Sequence, residues 1–168
     1  MKPRPKRSGP ISELAQRAQE ITQAIFDRAS IIGKALVPED SDQRIVVEVV
    51  TAEPGLVIGA QGETLNAVQT LVRAITSLEN TERIPIMIDC QGYRSRRESA
   101  LVSQARALAD QVKESGKEAV MEGLTPYERR VVHTALAEDT GVTTYSEGEG
   151  NERRLVVSPA EQDSPPTT

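Results

Sequence analysis

The chain has 168 residues, 38% of them hydrophobic and 27% charged, with a net charge of −5. That balance fits one ordinary globular domain or two small ones, and it excludes a disordered chain and a generally basic nucleic-acid binder. No apolar run approaches the roughly 20 residues that span a bilayer, and one cysteine, Cys90, excludes an internal disulfide and a cysteine-cluster metal site.

Residues 1–10 carry Lys2, Arg4, Lys6 and Arg7 in a Pro-rich stretch that reads as a basic flexible tail. No apolar core follows it, so it is not a secretory signal, and a reducing, cytoplasmic setting without membrane insertion is expected. Ile11, Leu14, Ala18, Ile21 and Ile25 predict a helix through about Arg28. Ile31–Val37 and Arg44–Val50 read as strands joined by the turn-rich Pro38-Glu39-Asp40-Ser41-Asp42. A short apolar turn at 55–58 leads into Gly59-Ala60-Gln61-Gly62. Leu65, Val68, Leu71, Val72, Ile75 and Leu78 then repeat at helical spacing. Ile84, Ile86 and Ile88 alternate as a strand, which Pro85 assigns to a strand start or a sheet edge. Residues 11–90 therefore predict the order αββααβ.

A second unit is expected over 91–158. Leu101, Ala105, Leu108 and Val112 line a helix ending before Gly116, and Lys117–Met121 reads as a strand. Thr125-Pro126-Tyr127-Glu128 is a capping box, with Thr at the N-cap, Pro at the first helical position and Glu two positions after it. Tyr127, Val131, Val132, Ala135 and Leu136 are the expected core face of that helix. Val142–Glu147 and Arg153–Val157 form a predicted hairpin, and residues 159–168 a polar, Pro-rich flexible tail.

The glycine loop invites comparison with phosphate-binding motifs. A Walker loop needs Lys after its last glycine, where Glu63 stands; a dinucleotide fingerprint needs GxGxxG directly after a strand, which this spacing does not provide. The remaining pattern is Ile58-Gly59-Ala60-Gln61-Gly62-Glu63-Thr64-Leu65. Two small residues there let a strand's phosphates approach the backbone, and the following helix offers its positive end. Ala60 and Gln61 are neutral, so the loop brings no cation of its own.

Basic side chains are grouped elsewhere. Arg129 and His133 stand four apart on the capped helix and share a flank, with Arg130 beside them. Arg153 and Arg154 follow in the hairpin. Arg94, Arg96 and Arg97 crowd the first turn of the preceding helix against its dipole, a supporting basic cluster for a polyanion. Arg can fork onto phosphate, while His can donate to a phosphate or stack on a base. One histidine excludes a two-histidine metal site. No Ser–His–Asp or Cys–His arrangement is indicated, so no enzyme, metal or cofactor is expected.

The αββααβ order with a GXXG loop resembles a type II KH domain, whose loop clamps about four nucleotides; the resemblance implies that bases lie between the helix after the loop and the strand Arg44–Val50. The capped Arg-x-x-x-His helix, followed by Tyr145–Gly150 and Arg153–Val157, resembles the R-three-H domain associated with single-stranded nucleic acid. The pairing, joined by Gly92-Tyr93-Arg94-Ser95-Arg96-Arg97-Glu98, resembles the bacterial Jag family, also called the SpoIIIJ-associated or KhpB family. Many members begin with a further Jag-N domain, and on this reading the chain is expected to lack it. The resemblance implies an α+β protein that binds single-stranded RNA through Gly59–Gly62 and through Arg129, Arg130, His133, Arg153 and Arg154. It further implies a post-transcriptional regulator or RNA chaperone linked to cell elongation and envelope control, pairing with itself or with a small KH protein. The alternative is a protein-interaction scaffold whose KH unit dimerises through its glycine loop and binds little RNA.

Overall fold

In a computed structural model, residues 10–79 and 84–160 are described. The predicted tails lie outside that range except for Pro10, Pro159 and Ala160. The chain divides into two units between Arg94 and Ser95. The expected boundary lay four residues earlier.

Helix α1 (Glu13–Arg28) starts where the Ser12 hydroxyl accepts from the Ala15 amide (3.2 Å). Ser12 is itself held by Asp40, which takes the Ser12 amide at 2.6 Å and its hydroxyl at 3.0 Å. Asp40 ends strand β1 (Gly33–Asp40), which runs antiparallel to β2 (Ile45–Thr51). The predicted turn at Pro38–Asp42 is thus shorter than expected. A register shift between Leu36 and Glu39 takes Pro38 into the strand, at a sheet edge where its missing N–H is tolerated. Helix α2 (Pro54–Ile58), the glycine loop and α3 (Glu63–Glu79) follow. Strand β3 (Ile86–Cys90) pairs parallel with β2, giving the sheet order β1-β2-β3. The αββααβ prediction is met. Ile45, Val47 and Val49 of β2 and Ile86, Ile88 and Cys90 of β3 point into one core with Leu14, Phe26, Val57, Leu65 and Val72. Period-2 strands pack there against period-3.6 helices.

Both outer strands of this sheet have backbone groups answered by side chains. On β1, the Gln23 side-chain amide acts as a neighbouring peptide would: it accepts from the Ala35 amide (2.9 Å) and donates to the Gly33 carbonyl (3.0 Å). Gln19, one turn earlier, donates to the Ala35 carbonyl (2.8 Å). On β3, Arg73 Nε donates to the Ile86 carbonyl (2.6 Å), the Gln69 side-chain oxygen accepts from the Ile88 amide (3.1 Å), and Arg94 Nε donates to the Ile88 carbonyl (2.9 Å). Gln19/Gln23 and Gln69/Arg73 are each four residues apart on a helix, the spacing that aims two side chains the same way. Gln23→Ala leaves one amide and one carbonyl unanswered, so urea denaturation is expected to show a loss of about 1–3 kcal/mol. An unmoved midpoint would mean that water replaces the amide in full.

In the second unit α4 (Tyr93–Ser115, beginning in the first) buries Leu101, Ala105, Ala109 and Val112; Leu108, expected on that face, is half-buried against the same core. Strands β4 (Ala119–Met121), β5 (Val142–Glu147) and β6 (Arg154–Pro159) form an antiparallel sheet of order β4-β6-β5, and α5 spans Pro126–Leu136. Leu155 and Val157 of β6 meet Val132 and Leu136 of α5 in the core. The capping box is complete: the Thr125 hydroxyl accepts from the Glu128 amide, and Glu128 Oε2 accepts from the Thr125 amide at 2.8 Å. Tyr127, predicted as core, is 64% exposed; its hydroxyl donates to Glu98 at 3.0 Å. The buried position it was expected to share belongs to Glu128, 7% exposed, whose other oxygen accepts from Arg97 Nε at 2.8 Å.

Candidate nucleic-acid interface

The glycine loop is shaped from inside. Gly59 has φ 72° and ψ −174°, a region essentially reserved for glycine. A Cβ placed there would also meet the Thr64 side chain and lie 2.9 Å from the Thr64 amide nitrogen. Gly62, with φ 88°, is buried against Tyr93. Gln61 between them also has a positive φ, 50°. Both glycines are therefore required by intramolecular neighbours, and Ala60 and Gln61 are the exposed part of the turn. The α3 backbone begins at once with Glu63, so the loop stands at that helix's start, beside an acidic rather than a basic side chain.

The strand beside this loop differs from the expected one. Strand β2, which contains the predicted Ile45–Val50, is hydrogen-bonded on both sides, to β1 and β3. The outer strand against which α3 packs is β3, and its edge carries Gln69, Arg73 and Arg94. Arg94 Nη2 also reaches Gln69 Oε1 at 3.2 Å.

Two of the three clustered arginines are engaged within the protein. Arg94 belongs to the first unit and is committed to β3, while Arg97 is committed to the buried Glu128. Arg96 is exposed.

In the second unit the Arg-x-x-x-His residues are braced. Arg129 Nη1 donates to the Leu124 carbonyl (2.7 Å) and the Arg153 carbonyl (3.3 Å), tying the approach to α5 to the approach to β6. His133 Nδ1 is 2.5 Å from the Thr144 hydroxyl of β5, which fixes the ring and leaves Nε2 as its second polar atom. Arg130, three residues before His133, is exposed, as is Arg153, and neither side chain has an ion pair or hydrogen bond among the described residues. Arg154 is partly neutralised by Glu147 at 2.6 Å. Sequence reasoning missed Thr144 and, although it offers Tyr93 as a stacking platform, missed the contact of Tyr93 with Gly62, since neither residue lies in a local pattern with the one it holds. Tyr145, 41% exposed, donates to Glu118 at 3.1 Å; burial and then that carboxylate raise its pKa.

Among the described residues there is no group of His, Cys, Asp and Glu that could hold a metal, and no helix long and apolar enough to cross a membrane.

An αββααβ unit with a GXXG loop, followed by a small unit in which a capped helix beside a three-stranded sheet carries a braced Arg-x-x-x-His flank, defines the class: a KH domain followed by an R-three-H domain. Family comparison agrees, matching the KhpA/KhpB KH domain over residues 15–88 and the R-three-H domain over 99–159. The chain belongs to the KhpB family, also called Jag. It is 30% identical to the RNA-binding protein KhpB of Clostridium symbiosum over 146 residues, 86% of this chain and 66% of that one. It is 33% identical to the Lactiplantibacillus plantarum protein of that name over 108 residues, 64% of this chain and 34% of that one. With the Bacillus subtilis protein it shares 29% over 151 residues, 89% of this chain and 70% of that one. The chain thus spans from about a third to about two thirds of these relatives' lengths. All three carry the name of an RNA-binding protein rather than of an enzyme, in keeping with the non-catalytic expectation.

Proposed function

We propose that the chain is a non-catalytic, cytoplasmic protein that binds single-stranded RNA at two sites of different character. The observation that carries this reading is the braced flank of α5. Arg129 and His133 are locked by Leu124, Arg153 and Thr144 onto one side of a capped helix, with the charges of Arg130 and Arg153 unspent nearby. Such a surface takes phosphates through guanidinium groups and can stack or hydrogen-bond a base through the imidazole. The glycine loop supplies the second site through its exposed turn at Ala60 and Gln61, since the Gly59 and Gly62 amides already donate to the Gly55 (2.9 Å) and Gly59 (3.5 Å) carbonyls. Two modest sites in one chain gain from effective concentration. With RNA as its ligand the protein acts as a post-transcriptional regulator or RNA chaperone; the link to cell elongation and envelope control rests on family membership.

The test is the salt dependence of binding to a short single-stranded RNA. Arg130→Gln with Arg153→Gln is expected to weaken binding about 10- to 100-fold and to flatten the slope of log K against log salt by about 0.7 for each phosphate no longer neutralised. Ala60→Asp with Gln61→Asp is expected to weaken binding as well. Equal affinity and slope in both variants and the parent sink this reading.

One observation favours a second reading, a scaffold whose KH unit pairs with a copy of itself or with a small KH protein. Leu71 and Leu78 are 52% and 86% exposed on α3, and with Ala67 and Ala74 they make an uncharged stripe at the 3.5-residue spacing of a helix–helix seam. Undetectable RNA binding at low salt, with a dimer that Leu71→Asp dissociates, would establish the scaffold instead.

A further inference from the structure

We propose that Tyr93, which lies outside the glycine motif, is the positioning residue that holds the GXXG loop in the shape its ligand requires. The proposal rests on the loop reading above and extends it to a residue 31 positions away in sequence from Gly62.

A Cβ on Gly62 would lie 2.9 Å from Tyr93 Cε1 and 3.1 Å from its hydroxyl oxygen. The ring therefore fills the space that a side chain at position 62 would need. It does so at a turn with three residues at positive φ, Gly59, Gln61 and Gly62. Left-handed backbone at Gln61 costs about 1–2 kcal/mol in an L-residue, so a free Gly-Ala-Gln-Gly segment would not keep this shape and something must hold it. Thr64 closes the side of Gly59 and Tyr93 closes the side of Gly62.

Tyr93 is well placed to do this because its own position is fixed from β3. Asp89 Oδ1 accepts from the Cys90 amide (2.8 Å) and the Arg94 amide (3.2 Å), across the left-handed Gln91 (φ 51°) and Gly92 (φ 70°). The Gln91 side chain donates to the Thr51 carbonyl at 2.7 Å, and the Arg94 side chain is anchored on the Ile88 carbonyl. The residues flanking Tyr93 are thus pinned to the sheet, and the ring transmits that rigidity to the loop. A loop with Lys or Arg between its glycines can tolerate some displacement, because charge attraction falls off slowly with distance. A loop with Ala60 and Gln61 depends on hydrogen bonds, which weaken steeply with angle. In this chain the placement of the loop matters more than its charge.

The test uses the full chain and an oligouridylate of about eight nucleotides, reading both affinity and the NMR response of individual amides. Tyr93→Phe keeps the ring and is expected to bind within about twofold of the parent. Tyr93→Leu is expected to bind about tenfold more weakly and to lose the response of the 59–62 amides, while the 129–133 amides still respond. Gly62→Ala pushes the same ring from the opposite side and is expected to lose the same loop response, which covers the case in which Tyr93→Leu does not fold. A folded Tyr93→Leu protein whose loop amides respond as in the parent overturns the assignment. If Ala60→Asp with Gln61→Asp leaves both affinity and loop response unchanged, RNA does not touch the loop; that result removes the loop site itself and the role of Tyr93 with it.

Discussion

Glu128→Ala is expected to destabilise the second unit by about 3–5 kcal/mol, the typical cost of removing one partner from a buried ion pair. Glu128 is a cap and an ion-pair partner at once: Oε2 closes the capping box on Thr125, and Oε1 takes Arg97 Nε. Alanine leaves a guanidinium without its carboxylate and an N-cap amide without its acceptor. Urea denaturation measures the loss, and a double-mutant cycle with Arg97→Ala apportions it. The pair predicts that Arg97→Ala with Glu128→Ala is more stable than the sum of the single losses implies, because each single change already removes the one contact the two residues share. Strict additivity would show that Arg97 and Glu128 contribute separately. Thr125→Ala, which removes only one side of the box, is expected to cost about 1 kcal/mol.

Gly59→Ala is expected to have the largest effect in the first unit. Positive φ with ψ near 180° costs a non-glycine residue about 1–3 kcal/mol before any contact is considered. The new methyl would also meet Thr64, including its backbone nitrogen at 2.9 Å. The backbone contact distinguishes this account from one based on side-chain crowding. If the hydroxyl were the only obstacle, Thr64→Ala would restore the stability of Gly59→Ala. The geometry predicts little rescue, because the Cβ and nitrogen of residue 64 remain after that change. Full recovery of the urea midpoint in the double variant would contradict it. The loop that survives in Gly59→Ala should no longer place its amides as the parent does, so RNA affinity should fall along with stability.

Much of this was legible in the sequence where the cause is local. The capping box is a spacing of three residues, and the αββααβ order follows from hydrophobic periods of 2 and 3.6 interrupted by glycine and proline. Contacts between distant residues were not legible. Nothing near Arg97 announces Glu128, and nothing near Gly62 announces Tyr93. Helical spacing groups Tyr127 with Val131 and Ala135 on the core face and puts Glu128 among them as well; in the structure Glu128 turns inward and Tyr127 outward. Strand β1 runs through Pro38 because a bulge absorbs it, which a turn-rich pentapeptide hides. At the site, the Arg and His of the motif could be named in advance. Their braces, Thr144 and the carbonyls of Leu124 and Arg153, could not, because they come from segments brought together only by folding.

The glutamine and arginine side chains along the outer strands bear on how the protein behaves in concentrated solution. A strand edge with open amides is a template on which an identical chain can add, and such growth accelerates with concentration. Here a joining strand would first have to displace Gln23 on one side, or Gln69, Arg73 and Arg94 on the other. Each displacement gives up an intramolecular hydrogen bond, charge-assisted where the donor is Arg73 or Arg94, so the gain from adding a strand at those positions is reduced. At those positions of the first sheet, strand addition becomes easier once the helices that carry those side chains come away.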